Sequence, residues 1–257
     1  MSIVLRYADP AGNITAIVES PVHPDDRISL SKRILDLGKA EQVGFVVPPQ
    51  SGGEGRLQMM GGEFCGNAAR SFGYLLATEH YSNGIHNISV EISGIATPLT
   101  ITTDLDSSTA SAEMPLPLGL STLTVGTKML PKVDCPGICH IIVEHQVSNE
   151  TLVQKILAAA RPLPYEAIGI LFLNDLQMTP VVYVRSTNSL VWESSCGSGS
   201  TACGWFLSRQ KTDGQYTYMF SEPGGCIETT VLVSNHNVSR IAIGGPLTLS
   251  APLRLDL

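Results

Sequence analysis

Two cysteines occupy matching places in two similar stretches of the chain, residues 64–70 (FCGNAAR) and residues 195–201 (SCGSGST). Cys65 and Cys196 each precede a glycine, each closely follows an acidic residue, and about half of the 257-residue chain separates them. This spacing is expected if two copies of one module face each other across a cleft and each presents a thiol. Two opposed thiols could remove a proton from one face of a carbon and return one to the other face, which is the chemistry of racemisation.

Each Cys-Gly pair opens a segment predicted as a helix, so each thiol is expected at a helix N-terminus. Such a terminus offers unpaired N–H donors and roughly half a positive charge. It can therefore bind a substrate carboxylate and lower the pKa of a cysteine placed there. The residues after each cysteine are candidate substrate contacts: Gly66, Asn67, Gly197 and Ser198. Backbone N–H groups would stabilise the carbanion, so we expect no cofactor, and no lysine stands out as a Schiff-base former.

The composition excludes several classes of protein. A net charge of −7 without a basic cluster argues against a nucleic-acid partner. No apolar run approaches the ~20 residues of a membrane span, and the N-terminus alternates like a strand rather than a signal peptide, so we expect a cytoplasmic protein with no membrane partner. The six cysteines should then be thiols. A zinc site at Cys135, Cys139 and His140 is disfavoured because no second ligand pair follows. Cys203 and Cys226 are expected to be packing residues.

The elements that must position the two cysteines are mostly strands, within an α/β (α+β) fold. Four helices are predicted, at 25–37, 66–80, 150–160 and 197–209. Strands are predicted at 3–7, 14–18, 43–47, 57–60, 88–92, 96–102, 140–143, 168–173, 181–184, 216–220, 227–233 and 239–243. The order of elements repeats, which indicates that one module is duplicated. The proline-punctuated segment 115–117 predicts an N-terminal domain of 1–116 and a C-terminal domain of 117–247.

These stretches resemble the diaminopimelate epimerase-like family of cofactor-independent isomerases over nearly the whole length. The resemblance rests on PAGN at 10–13, EQVGF at 41–45, EFCGNA at 63–68, WESSCGSG at 192–199 and PGG at 223–225. It implies two pseudo-symmetric domains, each a mostly antiparallel sheet wrapped around a central helix. It also implies that a last strand at about 248–257 returns to the first domain and that the protein is a homodimer. The segment that grips the distal carboxylate of diaminopimelate is shortened, and its arginine is replaced by Ser194. A distal charged group would be left unpaired, which disfavours diaminopimelate as the substrate.

The same departures resemble the histidine racemases of opine metallophore (staphylopine-type) biosynthesis, whose substrate is an amino acid. This resemblance implies that Glu41 approaches the imidazole of a bound histidine and that Glu193 approaches its α-ammonium group. Asn13, with Asn67, is expected to supply polar contacts from a loop. His140 either lines the site or is a core histidine.

Three alternatives remain open from the sequence. Both cysteines could be buried core residues, which is the commoner fate of a free cysteine. The chain could be a racemase or epimerase of another amino acid in the same family, such as diaminopimelate or a proline-like substrate. It could also be a thiol redox or ligand-binding protein in which Cys65 and Cys196 form a reversible disulfide.

Overall fold

The computed structural model describes residues 2–185 and 188–256 of the chain. These described residues form four helices and eighteen strands, in two compact units. The first unit comprises the chain up to Glu113 and from Gly244 onward, and the second comprises Met114–Ile243. None of the helices among the described residues is long and apolar enough to cross a membrane.

The first unit is a mostly antiparallel sheet packed around helix α2. Its helices are α1 (Pro24–Leu35) and α2 (Gly66–His80). Its strands are β1 (Ser2–Asp9), β2 (Thr15–Val18), β3 (Gln42–Val47), β4 (Gly55–Met59), β5 (Ile85–Ile92), β6 (Leu99–Asp104), β7 (Thr109–Glu113), β17 (Thr248–Leu249) and β18 (Leu253–Asp256). Strands β2 and β3 run parallel and are joined through α1, and β4 and β5 run parallel and are joined through α2. The C-terminal β18 pairs antiparallel with β1, so the end of the chain belongs to this sheet.

The second unit repeats this order. Its helices are α3 (Glu150–Ala160) and α4 (Gly197–Ser208). Its strands are β8 (Gly119–Val125), β9 (Lys128–Cys135), β10 (Ile138–Glu144), β11 (Ala167–Asn174), β12 (Gln177–Val184), β13 (Ser189–Trp192), β14 (Gly214–Glu222), β15 (Gly225–Ser234) and β16 (Asn237–Pro246), whose last residues belong to the first unit. Strands β10 and β11 are parallel around α3, and β12 meets β14 in parallel around α4. The two units are therefore pseudo-repeats in topology.

Helices α2 and α4 are the buried helices of their units. Every residue of α2 from Gly66 to Ala77 is buried, and Ala202, Cys203 and Phe206 of α4 pack in the second core. Each helix approaches a strand closely at an equivalent glycine. A Cβ at Gly73 would lie 2.6 Å from Ile101 Cβ, and one at Gly204 would lie 2.6 Å from Thr229 Cγ2. Small residues are thus required where the sheet wraps the helix.

The four predicted helices are confirmed, with α2 and α3 at the predicted bounds. Helix α1 begins one residue before its predicted start and ends two residues before its predicted end, and α4 ends one residue early. Every predicted strand is present, although β6 begins at Leu99 rather than residue 96 and the strand predicted at about 248–257 is divided into β17 and β18. Four strands were missed: β7, β8, β9 and β13. These strands are rich in Ser and Thr, interrupted by proline or very short, so their apolar alternation is weak. The last residue of the predicted C-terminal strand, Leu257, lies outside the described residues.

Candidate active site

Cys65 is the N-cap residue of α2. Its backbone is extended (φ −134°, ψ 113°), and its Sγ accepts a hydrogen bond of 3.4 Å from the backbone N–H of Ala68. The first intrahelical bond follows, from Ala69 N to Cys65 O at 2.9 Å. The thiol is partly exposed, at the positive end of the helix dipole. This position suits a thiol that must lose and regain a proton.

Asn13 joins the polar residues of the first unit around the thiol of Cys65. Its Oδ1 accepts from Gln42 Nε2 at 2.9 Å and from Asn67 Nδ2 at 3.4 Å, and it lies 3.9 Å from Cys65 Sγ. Because donors converge on Oδ1, the amide must turn its Nδ2 the other way, where it donates to Glu41 Oε2 at 2.9 Å. Four predicted residues, Cys65, Asn13, Glu41 and Asn67, therefore lie together, and Gln42 fixes the amide that links them.

Arg70 anchors this network through Asn67. The sequence alone did not indicate a role for it. Its side chain is completely buried, and its Nε donates to Asn67 Oδ1 at 3.2 Å. Its other nitrogens donate to the carbonyl oxygens of Pro10 (2.9 Å), Gly245 (3.2 Å) and Ala110 (3.5 Å). Arg70 thus ties the cysteine helix to the loop that carries Asn13. The only signal in the sequence is an arginine inside an otherwise small and apolar helix face.

Cys196 is the N-cap residue of α4, but its surroundings differ from those of Cys65. It is 6% exposed, and its side chain makes no capping hydrogen bond. Its backbone N–H donates instead to Glu222 Oε2 at 2.7 Å, and Ser200 Oγ donates to Glu222 Oε1 at 2.6 Å. Sequence reasoning missed Glu222, although it immediately precedes the Pro-Gly-Gly turn that was singled out. That turn is held by a 2.7 Å bond from Gly224 N to Ser194 O.

The thiol of Cys196 does not have the lowered pKa expected at a helix N-terminus. Burial, and then the carboxylates of Glu193 and Glu222, raise its pKa well above the usual value, and the thiol also hydrogen-bonds to Glu193. The hydroxyl of Ser198 acts in the opposite direction. The expectation is wrong for this thiol because it counted the helix dipole alone. Two nearby carboxylates and the loss of water outweigh about half a positive charge.

Ser198 connects Cys196 to His140. Its Oγ lies 3.5 Å from Cys196 Sγ and 3.1 Å from His140 Nε2. His140 is completely buried on β10, and burial lowers its pKa to about 3, so the ring is neutral at physiological pH. Its Nδ1 has no hydrogen-bond partner among the described residues. The second unit therefore brings together the five predicted residues Cys196, Glu193, Gly197, Ser198 and His140, with the histidine behind the serine.

Two other cysteines were expected to be packing residues. Cys203 is fully buried in the second core, and its Sγ lies 3.6 Å from Met178 Sδ. Cys226 is instead exposed on β15, so the packing interpretation is wrong for it. Side chains do alternate between the two faces of β15, but Cys226 lies on the face toward solvent.

Gly169 on β11 leaves the space that His140 occupies, and Gly169→Ala is expected to destabilise the protein by about 1–3 kcal/mol. The two residues are direct neighbours in the parallel pairing, and a Cβ at residue 169 would lie 2.1 Å from His140 Nδ1. The ring would have to move and lose its contact with Ser198. Chemical denaturation measures the loss of stability.

The matched control for this substitution is Gly119→Ala, because nothing lies within 4 Å of a Cβ built at Gly119 on β8. It should change the free energy of unfolding by less than about 0.5 kcal/mol. Adding His140→Ala to Gly169→Ala should restore part of the lost stability, since it removes the clashing ring. Equal stability of the two glycine variants would contradict the close packing.

The chain was compared with known proteins. The model of the family described as the histidine racemase CntK N-terminal domain matches residues 5–252. A histidine racemase of Fusobacterium nucleatum subsp. nucleatum is 33% identical over 258 residues, covering 95% of this chain and 93% of that protein. A histidine racemase of Staphylococcus aureus is 27% identical over 236 residues, covering 86% of each protein.

Among solved structures, a hydroxyproline epimerase from Agrobacterium vitis with bound trans-4-hydroxy-L-proline superposes with a TM-score of 0.71. It is 11% identical and covers 99% of this chain and 92% of that chain. At this low identity the similarity supports the fold alone, which agrees with the α/β architecture expected from the sequence. Since the family model spans nearly all of the chain and a relative exceeds 30% identity, this chain belongs to the histidine racemase CntK N-terminal domain family and is an amino-acid racemase.

Proposed function

We propose that this chain interconverts L-histidine and D-histidine with two thiols and no cofactor. The observation that carries the mechanism is the repeated N-cap position of a cysteine, Cys65 on α2 and Cys196 on α4. The choice of histidine rests on the relatives named histidine racemase. Lys132 is the buried lysine of the described residues, and it is paired with Asp134 and Tyr165 rather than available for a Schiff base.

In the proposed reaction, one sulfur is a thiolate and the other is a thiol. The thiolate takes the α-proton from one face of the substrate carbon, and the negative charge spreads onto the α-carboxylate. Backbone N–H groups in the first turns of α2 and α4 stabilise that charge, which is worth roughly 3 kcal/mol for each well-placed donor. The other thiol then delivers its proton to the opposite face, so the product has inverted configuration and the two sulfurs have exchanged roles.

The remaining candidate residues divide between the two ends of the substrate. In this proposal, Gly66, Asn67, Gly197 and Ser198 bind the carboxylate, and Glu193 binds the α-ammonium group. Glu41 binds the imidazole, which agrees with its exposed carboxylate and with its hydrogen bond to Asn13 beside Cys65. His140 has no exposed surface, so its effect on the substrate would pass through Ser198.

Exchange of the α-proton in D₂O, followed by NMR under reducing conditions, tests the proposal. Deuterium at the α-carbon of histidine together with growth of the D-isomer is the expected result. Exchange with another amino acid, such as proline, would retain the two-thiol mechanism and overturn the choice of histidine. Absence of exchange with every amino acid tested would favour a thiol redox or binding protein.

Glu41→Gln should weaken the preference for histidine while leaving the thiol chemistry intact. The amide is nearly isosteric, but it loses the charge that would pair with an imidazolium and reverses one hydrogen-bonding group toward Asn13. We expect kcat/KM for histidine to fall by about 10- to 100-fold, corresponding to about 1.4–2.7 kcal/mol. The measurement is the steady-state rate with each histidine enantiomer.

The control for Glu41→Gln is Glu54→Gln, which neutralises another exposed carboxylate of the first unit, one that accepts a backbone hydrogen bond from Ser89. That variant should racemise histidine at the unmodified rate. Full activity of Glu41→Gln with unchanged selectivity would remove Glu41 from the substrate site.

We also propose a cytoplasmic homodimer that acts in metallophore biosynthesis, with an amino acid as its small-molecule partner and without a nucleic-acid or membrane partner. The net charge of −7 supports the exclusion of nucleic acid. Sedimentation equilibrium would test the dimer.

A further inference from the structure

The two catalytic candidates are capped in different ways. Cys65 Sγ itself accepts from the N–H of Ala68, so the sulfur shares in the capping of α2. Cys196 Sγ makes no such bond, and the Glu222 carboxylate lies at this end of α4 in its place. The repeat of the two units is thus broken at the atoms that would do the chemistry.

The position of Glu222 is built into the second unit. It is the last residue of β14, and its residue exposure is 6%. One oxygen accepts from Cys196 N at 2.7 Å, and the other accepts from Ser200 Oγ at 2.6 Å. The turn after it is fastened to the segment before the cysteine by the bond from Gly224 N to Ser194 O. The carboxylate therefore has one well-defined place beside the cysteine.

We propose that Glu222 is a positioning residue for Cys196, whose buried carboxylate fixes the cysteine backbone and retains the proton on its sulfur in the resting protein. This inference rests on the proposed two-thiol function and deepens it. Cys196 then begins the cycle as the acid, and Cys65 begins it as the base. The two half-reactions become unequal, because forming a thiolate at Cys196 places a third negative charge near Glu193 and Glu222.

Both carboxylates near Cys196 favour its protonated thiol. Glu193 contributes a second carboxylate that hydrogen-bonds to the thiol. The hydroxyl of Ser198 favours the thiolate of Cys196, and the neutral ring of His140 is hydrogen-bonded to that hydroxyl. The same core also contains the phenol of Tyr218 and the buried thiols Cys135 and Cys203, and the pKa of each of these two thiols is raised.

Glu222→Gln removes the negative charge of the side chain and keeps its shape. The amide oxygen can still accept from Cys196 N–H, and the amide nitrogen can donate to Ser200 Oγ, so both contacts survive without the charge. The pH dependence of alkylation by iodoacetamide, followed at each cysteine by peptide mass spectrometry, reports the thiolate of Cys196 directly. We expect Cys196 in this variant to react about tenfold faster below its midpoint, because the midpoint moves down by about one pH unit.

Cys65 and the exposed Cys226 should keep their unmodified profiles in Glu222→Gln, and Glu222→Asp should keep the profile of Cys196 because it keeps the charge. An unchanged Cys196 profile in Glu222→Gln, or an equal shift at all three cysteines, would overturn the proposal. If Glu222→Gln does not fold, Glu222→Asp and the unmodified protein provide the test. The Cys196 midpoint must be higher in the folded protein than in urea, and an equal or lower midpoint, or an altered Cys196 profile in folded Glu222→Asp, would overturn the proposal.

This experiment needs no substrate, so it is independent of the racemase assay. If the alkylation profile of Cys196 shifts as expected but histidine does not exchange its α-proton, only the proposed function is overturned. If histidine exchanges its α-proton but the Cys196 profile is unchanged, only the role of Glu222 is overturned. Racemisation by Glu222→Gln should also have an altered pH–rate profile, which a purely structural contact would not produce.

Discussion

Cys65→Ala and Cys196→Ala should each racemise histidine far more slowly than the unmodified protein and still exchange the α-proton of one enantiomer. A single remaining sulfur can remove a proton and return a solvent deuteron to the same face, which gives deuterium incorporation without inversion. Inversion requires a second proton donor on the opposite face. Loss of that donor should lower the inversion rate by about 10²–10⁴-fold.

The measurement is NMR in D₂O with L-histidine and D-histidine in separate samples. If the two thiols serve opposite faces, the two variants should label opposite enantiomers, a pattern that general damage to the fold cannot produce. Cys226→Ala is the matched control, because Cys226 is an exposed free cysteine of the second unit and should be dispensable. Full inversion by either single variant would refute the two-thiol mechanism, and labelling of the same enantiomer by both would refute the division of faces.

Arg70→Ala should cause the largest loss of stability among the substitutions considered. The guanidinium is fully buried and donates to Asn67 Oδ1 and to the carbonyl oxygens of Pro10, Gly245 and Ala110. Its removal leaves these buried acceptors without this donor and opens a cavity beneath α2. We expect the free energy of unfolding to fall by about 3–5 kcal/mol, and the melting temperature to fall by on the order of 10 °C.

Calorimetry measures the loss of stability, and two further variants show what causes it. Arg33→Ala removes an exposed arginine from α1 and should change stability by less than about 0.5 kcal/mol. Arg70→Lys keeps the charge but cannot span the same acceptors, because the ammonium lacks the planar fork of the guanidinium. It should therefore fold, yet racemise slowly, since Asn67 and the loop of Pro10 lose their common anchor. A fully stable Arg70→Ala protein would show that the anchor is unnecessary.

The local sequence determined the helices and the place of both thiols. Cys65 and Cys196 precede small residues and then apolar residues at helical spacing, and both signals act within one or two turns. The four helices were therefore found at or near their bounds. The polar, short or proline-bearing strands β7, β8, β9 and β13 were not predicted, because their pairing comes from neighbouring strands rather than from their own pattern.

The tertiary structure decided what surrounds each thiol. Glu222 meets Cys196 only because β14 returns beside α4, and Arg70 reaches Gly245 only because the end of β16 belongs to the first unit. Sequence alone predicted that the helix N-terminus lowers the pKa of each cysteine, since that terminus is a local feature common to both. The raised pKa of Cys196 comes from burial and from a carboxylate distant in sequence. Electrostatic effects depend on distance in space, and the chain encodes that distance only through the completed fold.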